Sequence, residues 1–355
     1  NPDVPQPPAE LPAAPAPDDD NEVERLAPAA ETREVDAEAV ELRRARIWRA
    51  SDAVVTALEA RWARSWRRLF AKQAEATLSR LRGKRGRQAL AKAIEERAEP
   101  APEIDPALIF DVEFWRTASA EVAGDLFEET AVAGLTRLAA QFGISFDLEA
   151  PWVAEFIEQR VQDLAGQVTQ TTYDAIRNEL VDGVAAGESI DDLAARIRHV
   201  FTQASETRAV TIARTEVISA YNGAATFGAA QMPSDVIAAQ EWIATRDGRT
   251  RETHASADGQ VVAIGQPFTV GGFAGAYPGD PALPADETVN CRCAVAFLTP
   301  EEFLNAGREK RPRVITDRRV AMALMATVPS GDPSWDFITF RRATSHVTEY
   351  REAAA

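Results

Sequence analysis

Four residues able to handle protons and negative charge fall close together in one segment, EWIATRDGRTRETHASADGQ: Asp247, Arg249, Arg251 and His254. An imidazole titrates near neutral pH and can take or give a proton, while a guanidinium stabilises an oxyanion without losing its own charge. His254 as general acid or base, Arg249 or Arg251 against a pentavalent phosphate, and Glu216 as a second acid/base would suit metal-free phosphodiester cleavage. The same side chains could instead be architectural. Arg forks pairing with Asp247, Glu216 or Asp280 would fix loops that lack regular strand pairing, with Asp258 and Gly259 forming the turn that follows. In that case Asp247, Arg249, Arg251, His254, Cys291 and Cys293 converge on one buried site, and losing a partner melts the loop-rich stretch while the preceding helices survive.

Only two cysteines occur, Cys291 and Cys293. At i and i+2 on a strand they point to the same side, where two thiolates could share a metal with His254 from the preceding loop. Two Cys and one His fall one short of the four protein ligands of a structural zinc site. The competing expectation is no cofactor, with both thiols buried as small apolar groups beside a hydrogen-bonded imidazole. So close a pair argues against a disulfide framework and points to folding in a reducing compartment. His199 and His346 add no further ligand set, and no Walker loop, Rossmann fingerprint or His-Glu-x-x-His motif is present.

The elements that must position these groups read as an α+β chain, with long N-terminal helices followed by a small loop-rich module with short strands. Residues 1–30 are Pro, Ala and acid with almost no large apolar side chain, and are expected to be a disordered linker. A helical arm region spans 31–184. Within it Trp62, Trp66 and Leu69 recur at helical spacing and predict a packed face, with a break at Gly83 or Gly86. Gly143 is placed to cap one helix and Pro151 to start the next. Ser189 and Asp192 form a capping-box-like start for a short helix with Leu193, Ile197 and Val200 on one face. A helix over about 206–231 follows, carrying a polar stripe of Thr215, Ser219 and Asn222. From 235 to 298 the texture turns to Gly, Pro, Asp and Thr with short apolar runs, predicting short strands. A last helix near 301–311 opens a C-terminal extension over 299–355.

A net charge of -16 excludes wholesale wrapping of nucleic acid, yet residues 61–92 hold eleven Lys or Arg against the single acid Glu75, a local charge of +10. Arg80, Arg82, Lys84, Arg85 and Arg87 are its densest part and the candidate contacts to double-stranded DNA. No run of about 18 apolar residues occurs and the N-terminal segment is not basic-then-apolar, so neither a membrane span nor a secretory signal is expected.

One ordered set of motifs runs through the second half: IARTEV (Arg214, Thr215, Glu216), then Trp242 with Asp247, Arg249, Arg251, His254, Asp258 and Gly259, then Tyr277-Pro278-Gly279-Asp280, then Asn290-Cys291-Arg292-Cys293. Together they resemble the phage Mu F-like head morphogenesis domain, over about 185–298. The resemblance implies a minor component of a tailed-phage head, present near the portal in the head interior and in the host cytoplasm before assembly. It would act in head assembly and DNA packaging or ejection, with portal and major capsid proteins as partners. Some relatives are fused to the C-terminal end of a portal protein, which would make residues 1–30 a linker leaving a portal body and would account for a chain beginning at Asn1. Many members look to have a Cys near position 251 and a His shortly before the Cys-x-Cys; here Arg251 and the residues around Glu287 occupy those places. Arg-Thr-Glu is also similar to a fragment of ADP-ribosyltransferase motifs, without the Ser-Thr-Ser or paired-Glu elements that accompany it. A structural role is thus expected, and the alternative is a virion-packaged phosphodiesterase using His254 with Arg249 and Arg251.

Overall fold

The computed structural model describes residues 37–95 and 105–309, with a parallel strand pair at Arg313–Val314 and Ile338–Thr339. The linker expected over 1–30 and most of the extension expected over 299–355 lie outside the described residues.

The first helix, α1 (Ala37–Arg82), buries Trp62, Trp66 and Phe70 completely along one face. Each large apolar side chain so buried contributes about 1.5–3 kcal/mol. Trp62 also donates its indole N–H to Thr130 at 3.0 Å and meets Phe127 edge-on, so the Trp pair is a packed face as the spacing predicts. The helix breaks at Gly83, and α2 (Lys84–Glu95) starts at once, with Gly86 pressed against the backbone of Arg80 and Leu81 where a Cβ has no room. Next come α3 (Val112–Phe142), capped by the Asp111 carboxylate and closed by Gly143 at φ 65°, and α4 (Pro151–Ala185). The Ser189/Asp192 capping box opens α5 (Ile190–Gln203). Leu193 and Ile197 are buried there, but Phe201 fills the third core position and Val200 is only half-buried. A π-type turn, Ala204–Arg208, leads into α6 (Ala209–Ala230), which therefore starts later than expected.

The strands are short. β1 (Ala239–Ile243) pairs antiparallel with β2 (Val261–Ala263) on one side and with β5 (Ala294–Leu298) on the other, Trp242 lying opposite Val295. The helix α7 (Glu252–Ala257) precedes β2, and β3 (Phe268–Val270) and β4 (Phe273–Gly275) form a separate hairpin. Gly271 and Gly272 turn that hairpin with φ of 58° and 86°, backbone that an L side chain rarely adopts. One turn of helix, α8 (Ala285–Thr288), leads toward β5, and α9 (Pro300–Glu309) follows it. The free side of β5 is satisfied by helical side chains: Arg137 donates to the Val295 carbonyl at 3.0 Å, Gln141 to the Phe297 carbonyl at 2.8 Å, and Asn222 accepts from the Val295 N–H at 3.4 Å.

One apolar cluster runs from Trp62, Trp66 and Phe127 through Val217 to Trp242, Phe268 and Val295. Helices and strands share this one core. Among the described residues no helix is long and apolar enough to cross a membrane.

Candidate functional site

The polar stripe of α6 is what holds the loops. Thr215 accepts the backbone N–H of Asn290 at 3.1 Å, and the Asn222 amide donates to the carbonyls of Pro278 and Cys293, each at 3.0 Å. Gly279, at φ 87°, lets the Tyr-Pro-Gly-Asp turn lie against the backbone of Ser219. Asp280 closes that turn by accepting from the N–H groups of Ala276 (2.7 Å) and Ala282 (2.9 Å). Tyr277 is buried against Gly223, which raises the pKa of its phenol. Asn290 adopts the left-handed conformation (φ 58°), which Asn tolerates better than other L residues, and turns the chain into the two cysteines.

His254, on α7, is 2% exposed. Its Nδ1 lies 3.3 Å from Cys293 Sγ and 3.8 Å from Cys291 Sγ. Its Nε2 faces Glu287, 3.0 Å from the carbonyl and 3.1 Å from a carboxylate oxygen. Trp242 packs edge-on against the ring at 5.6 Å. The thiols interact: Cys293, favoured as thiolate by Cys291 and His254, has a lowered pKa, and Cys291 beside it has a raised one. The expected trio of His254, Cys291 and Cys293 is thus brought together and buried.

The arginines and Asp247 are not. Asp247 is paired fork to fork with Arg292, at 2.6 and 2.8 Å, and its carboxyl is held below the usual range chiefly by that guanidinium. Its side chain is 37% exposed and that of Arg249 76% exposed, so this pair lies at the rim rather than in a buried network. Arg251 donates to the Val289 carbonyl, and Glu216 pairs with Arg160 on α4, not with Arg249 or Arg251. Burial raises the pKa of Glu216 despite that partner. Arg249 and Arg251 line a cleft of about 650 Å³ with Arg214, Asn290, Arg292 and Cys293 from the motifs and with Asp52, Glu59 and Trp48 from α1. The predicted general acid/base does not line that cleft, being buried against Cys293 with both ring nitrogens engaged, and its supposed partner Glu216 is committed elsewhere. A single catalytic constellation of His254, Arg249, Arg251 and Glu216 is not formed.

A second cluster had no signal in the sequence. Arg44 on α1 pairs with Glu241 on β1 at 2.8 Å and also with Asp258, while Arg43 reaches Glu241 at 2.7 Å. Arg246 joins Asp258 (2.9 Å) to Glu41 (2.6 Å). Trp48 donates toward the Arg292 carbonyl at 3.3 Å and covers Ile243, Ala294 and Ala296. Arg44 has one local partner, Glu41 at i−3 and 2.7 Å, but Glu241 and Asp258 lie 198 and 214 residues from Arg43 and Arg44, and no local pattern marks those contacts.

Residues 174–296 match the family described as Phage Mu protein F like protein. The chain carries a Mu F-like domain. This span begins inside α4 and ends in β5, so it contains all of the hydrogen-bonded framework between α6 and the loops. Similar proteins include YqbB of Bacillus subtilis, 26% identical over 48% of this chain and 58% of that protein. The NAD(+)--arginine ADP-ribosyltransferase EFV of Enterococcus faecalis is 29% identical over 43% of this chain and 31% of that protein. The Minor head protein GP7 of Bacillus phage SPP1 is 30% identical over 37% of this chain and 42% of that protein. The matched stretches therefore cover about a third to three fifths of those proteins. No solved structure matches the chain. The Mu F-like domain here keeps its Cys-x-Cys and His254 together, while Arg251 serves as a backbone clamp and Glu287 as the partner of His254.

Proposed function

We propose that this protein is a minor structural component of a tailed-phage head. It would be associated with the portal in the head interior, after passing through the host cytoplasm, and act in head assembly and DNA packaging or ejection. Its partners would be the portal and major capsid proteins and the packaged duplex. The observation that carries this reading is where the motif residues point. Thr215 is spent on the backbone of Asn290 and Asn222 on that of Pro278, joining α6 to the loops, while Asp280 closes its own turn on Ala276, as befits a scaffold. The likeness to a phage minor head protein supports the same role. The packaged-phosphodiesterase alternative, with His254, Arg249 and Arg251, finds less support, because a general acid/base has to reach its substrate and His254 is enclosed.

DNA contact would run through the basic end of α1 and α2, where Arg80, Arg82, Lys84, Arg85 and Arg87 are all exposed. Of these, Arg80 is 3.7 Å from Asp111 and is the least available to phosphate. The test has two arms. In the first, the full chain is co-expressed with its phage's portal and major capsid proteins, and its sedimentation with assembled heads is followed; a protein left entirely in the free fraction would remove the head role. In the second, binding to a short duplex is measured across a salt series with the five basic residues neutralised together. The slope of log K against log salt should flatten by about 0.9 for each phosphate that the variant no longer neutralises. An unchanged slope would place DNA contact elsewhere.

A further inference from the structure

We propose that His254, Cys291 and Cys293 bind one zinc ion, with solvent completing the tetrahedron, independently of the head role. Around a tetrahedral zinc with bonds of about 2.3 Å to sulfur and about 2.0 Å to nitrogen, neighbouring ligand atoms stand about 3.5–3.8 Å apart. Here Nδ1 of His254 lies 3.3 Å from one sulfur and 3.8 Å from the other, and the three ligand atoms all fall within 4.8 Å of one another. The two nitrogen–sulfur separations thus bracket the value an ion would impose, and the sulfurs are no more than 4.8 Å apart.

Three further features favour a ligand set over a merely buried histidine. Both sulfurs face the same ring nitrogen, although a neutral imidazole needs only one hydrogen-bond partner there. The opposite nitrogen is held by the Glu287 carbonyl and carboxylate, the arrangement that fixes the tautomer and raises the basicity of a metal-bound imidazole. Two thiolates and an imidazole are also the soft donor set that selects zinc over magnesium or calcium. The fourth ligand would be a water entering from the cleft that Cys293 lines. Binding would expel the remaining thiol protons to water. The ion would join α7 to the entrance of β5, two segments otherwise linked by loop contacts. Glu287 is a positioning residue in this scheme and touches no metal.

The experiment uses the full chain, purified without chelator, then stripped and titrated with zinc or cobalt(II). Zinc should be present at one equivalent by elemental analysis. Cobalt should enter at one equivalent, with a thiolate-to-metal charge-transfer band and the intense visible bands of a tetrahedral ion. Because Cys291 and Cys293 are the only cysteines and are buried, the rate of thiol alkylation in mild denaturant reads the site directly: zinc should slow it at both thiols relative to the stripped chain, and magnesium should not. Glu287→Gln should keep the cobalt spectrum and weaken affinity about 10–100-fold. Cys293→Ser should abolish the charge-transfer band. If that variant does not fold, the alkylation assay on the native chain decides. Unprotected thiols at saturating zinc, an octahedral cobalt spectrum, or metal content that survives Cys293→Ser would each overturn the proposal.

Discussion

Arg44 and Glu241 meet between the first helix and the first strand, Nε to Oε1 at 2.8 Å, with both side chains buried. Arg43 and Asp258 complete the cluster. Removing Arg44 leaves Glu241 with Arg43 and Asp258 with Arg246 as remaining counter-charges, so the cost should fall below the about 3–5 kcal/mol of a buried charge left with none, whereas replacing a pair with apolar side chains of like volume is often neutral. Arg44→Ala should therefore lower the denaturant midpoint measurably, and Arg44→Met with Glu241→Leu should recover part of the loss. A double-variant loss equal to the sum of the two single losses would show that the ions do not interact. Because helices and strands share one core, far-ultraviolet circular dichroism and tryptophan fluorescence should report the same midpoint.

Asp247 illustrates the opposite case. Its fork with Arg292 is at the rim and open to solvent, where an ion pair is weak. Asp247→Ala should leave the melting temperature close to that of the unchanged protein. The melting expected from the sequence, with the helices left standing, is not what this geometry favours.

Glu216 gives a pH signature with a definite sign. Burial raises its folded pKa above the unfolded value of about 4.3, so the folded state holds a proton that the unfolded chain has released. The stability it contributes is present below that unfolded value and falls as pH rises through the folded pKa. The melting temperature of the unchanged protein should thus decline over that window relative to Glu216→Gln, measured in parallel at each pH. Parallel curves would mean that Arg160 fully offsets burial.

Gly134 separates propensity from packing. In an open helix, Gly→Ala gains about 1 kcal/mol. Here a Cβ at Gly134 would collide with the Tyr221 carbonyl of α6, and rigid backbone cannot give way as a flexible side chain can. Gly134→Ala should destabilise by about 1–3 kcal/mol, the usual cost of overfilling a packed site. Gly124→Ala, with open space around it on the same helix, should do the reverse.

The parts of the fold legible in the sequence are those with local causes. The Ser189/Asp192 box, the Gly143 cap and the Pro151 start depend on residues a few positions apart, and the Trp62/Trp66 face depends on one helical period. The Cys291, Cys293 and His254 trio was legible because its residue types are scarce. Pairings between distant segments were not. Glu216 could have met any of several arginines, and its actual partner Arg160 is one Arg among many on amphipathic helices. Arg44 had only the nearby Glu41 to mark it, and nothing local pointed to Glu241 or Asp258. Asp247 was recognised, yet its partner is Arg292, between the cysteines, because a residue between two inward thiols on an extended segment has to point outward.

The side chains that cap β5 have a consequence for crowding. A strand edge with unmet N–H and C=O groups is a template on which another copy of the same chain can add. Arg137, Gln141 and Asn222 occupy that template from within, and β2, at the opposite edge, is only three residues long. Strand addition at either edge of this three-stranded sheet is thereby disfavoured when copies are brought side by side at high local concentration.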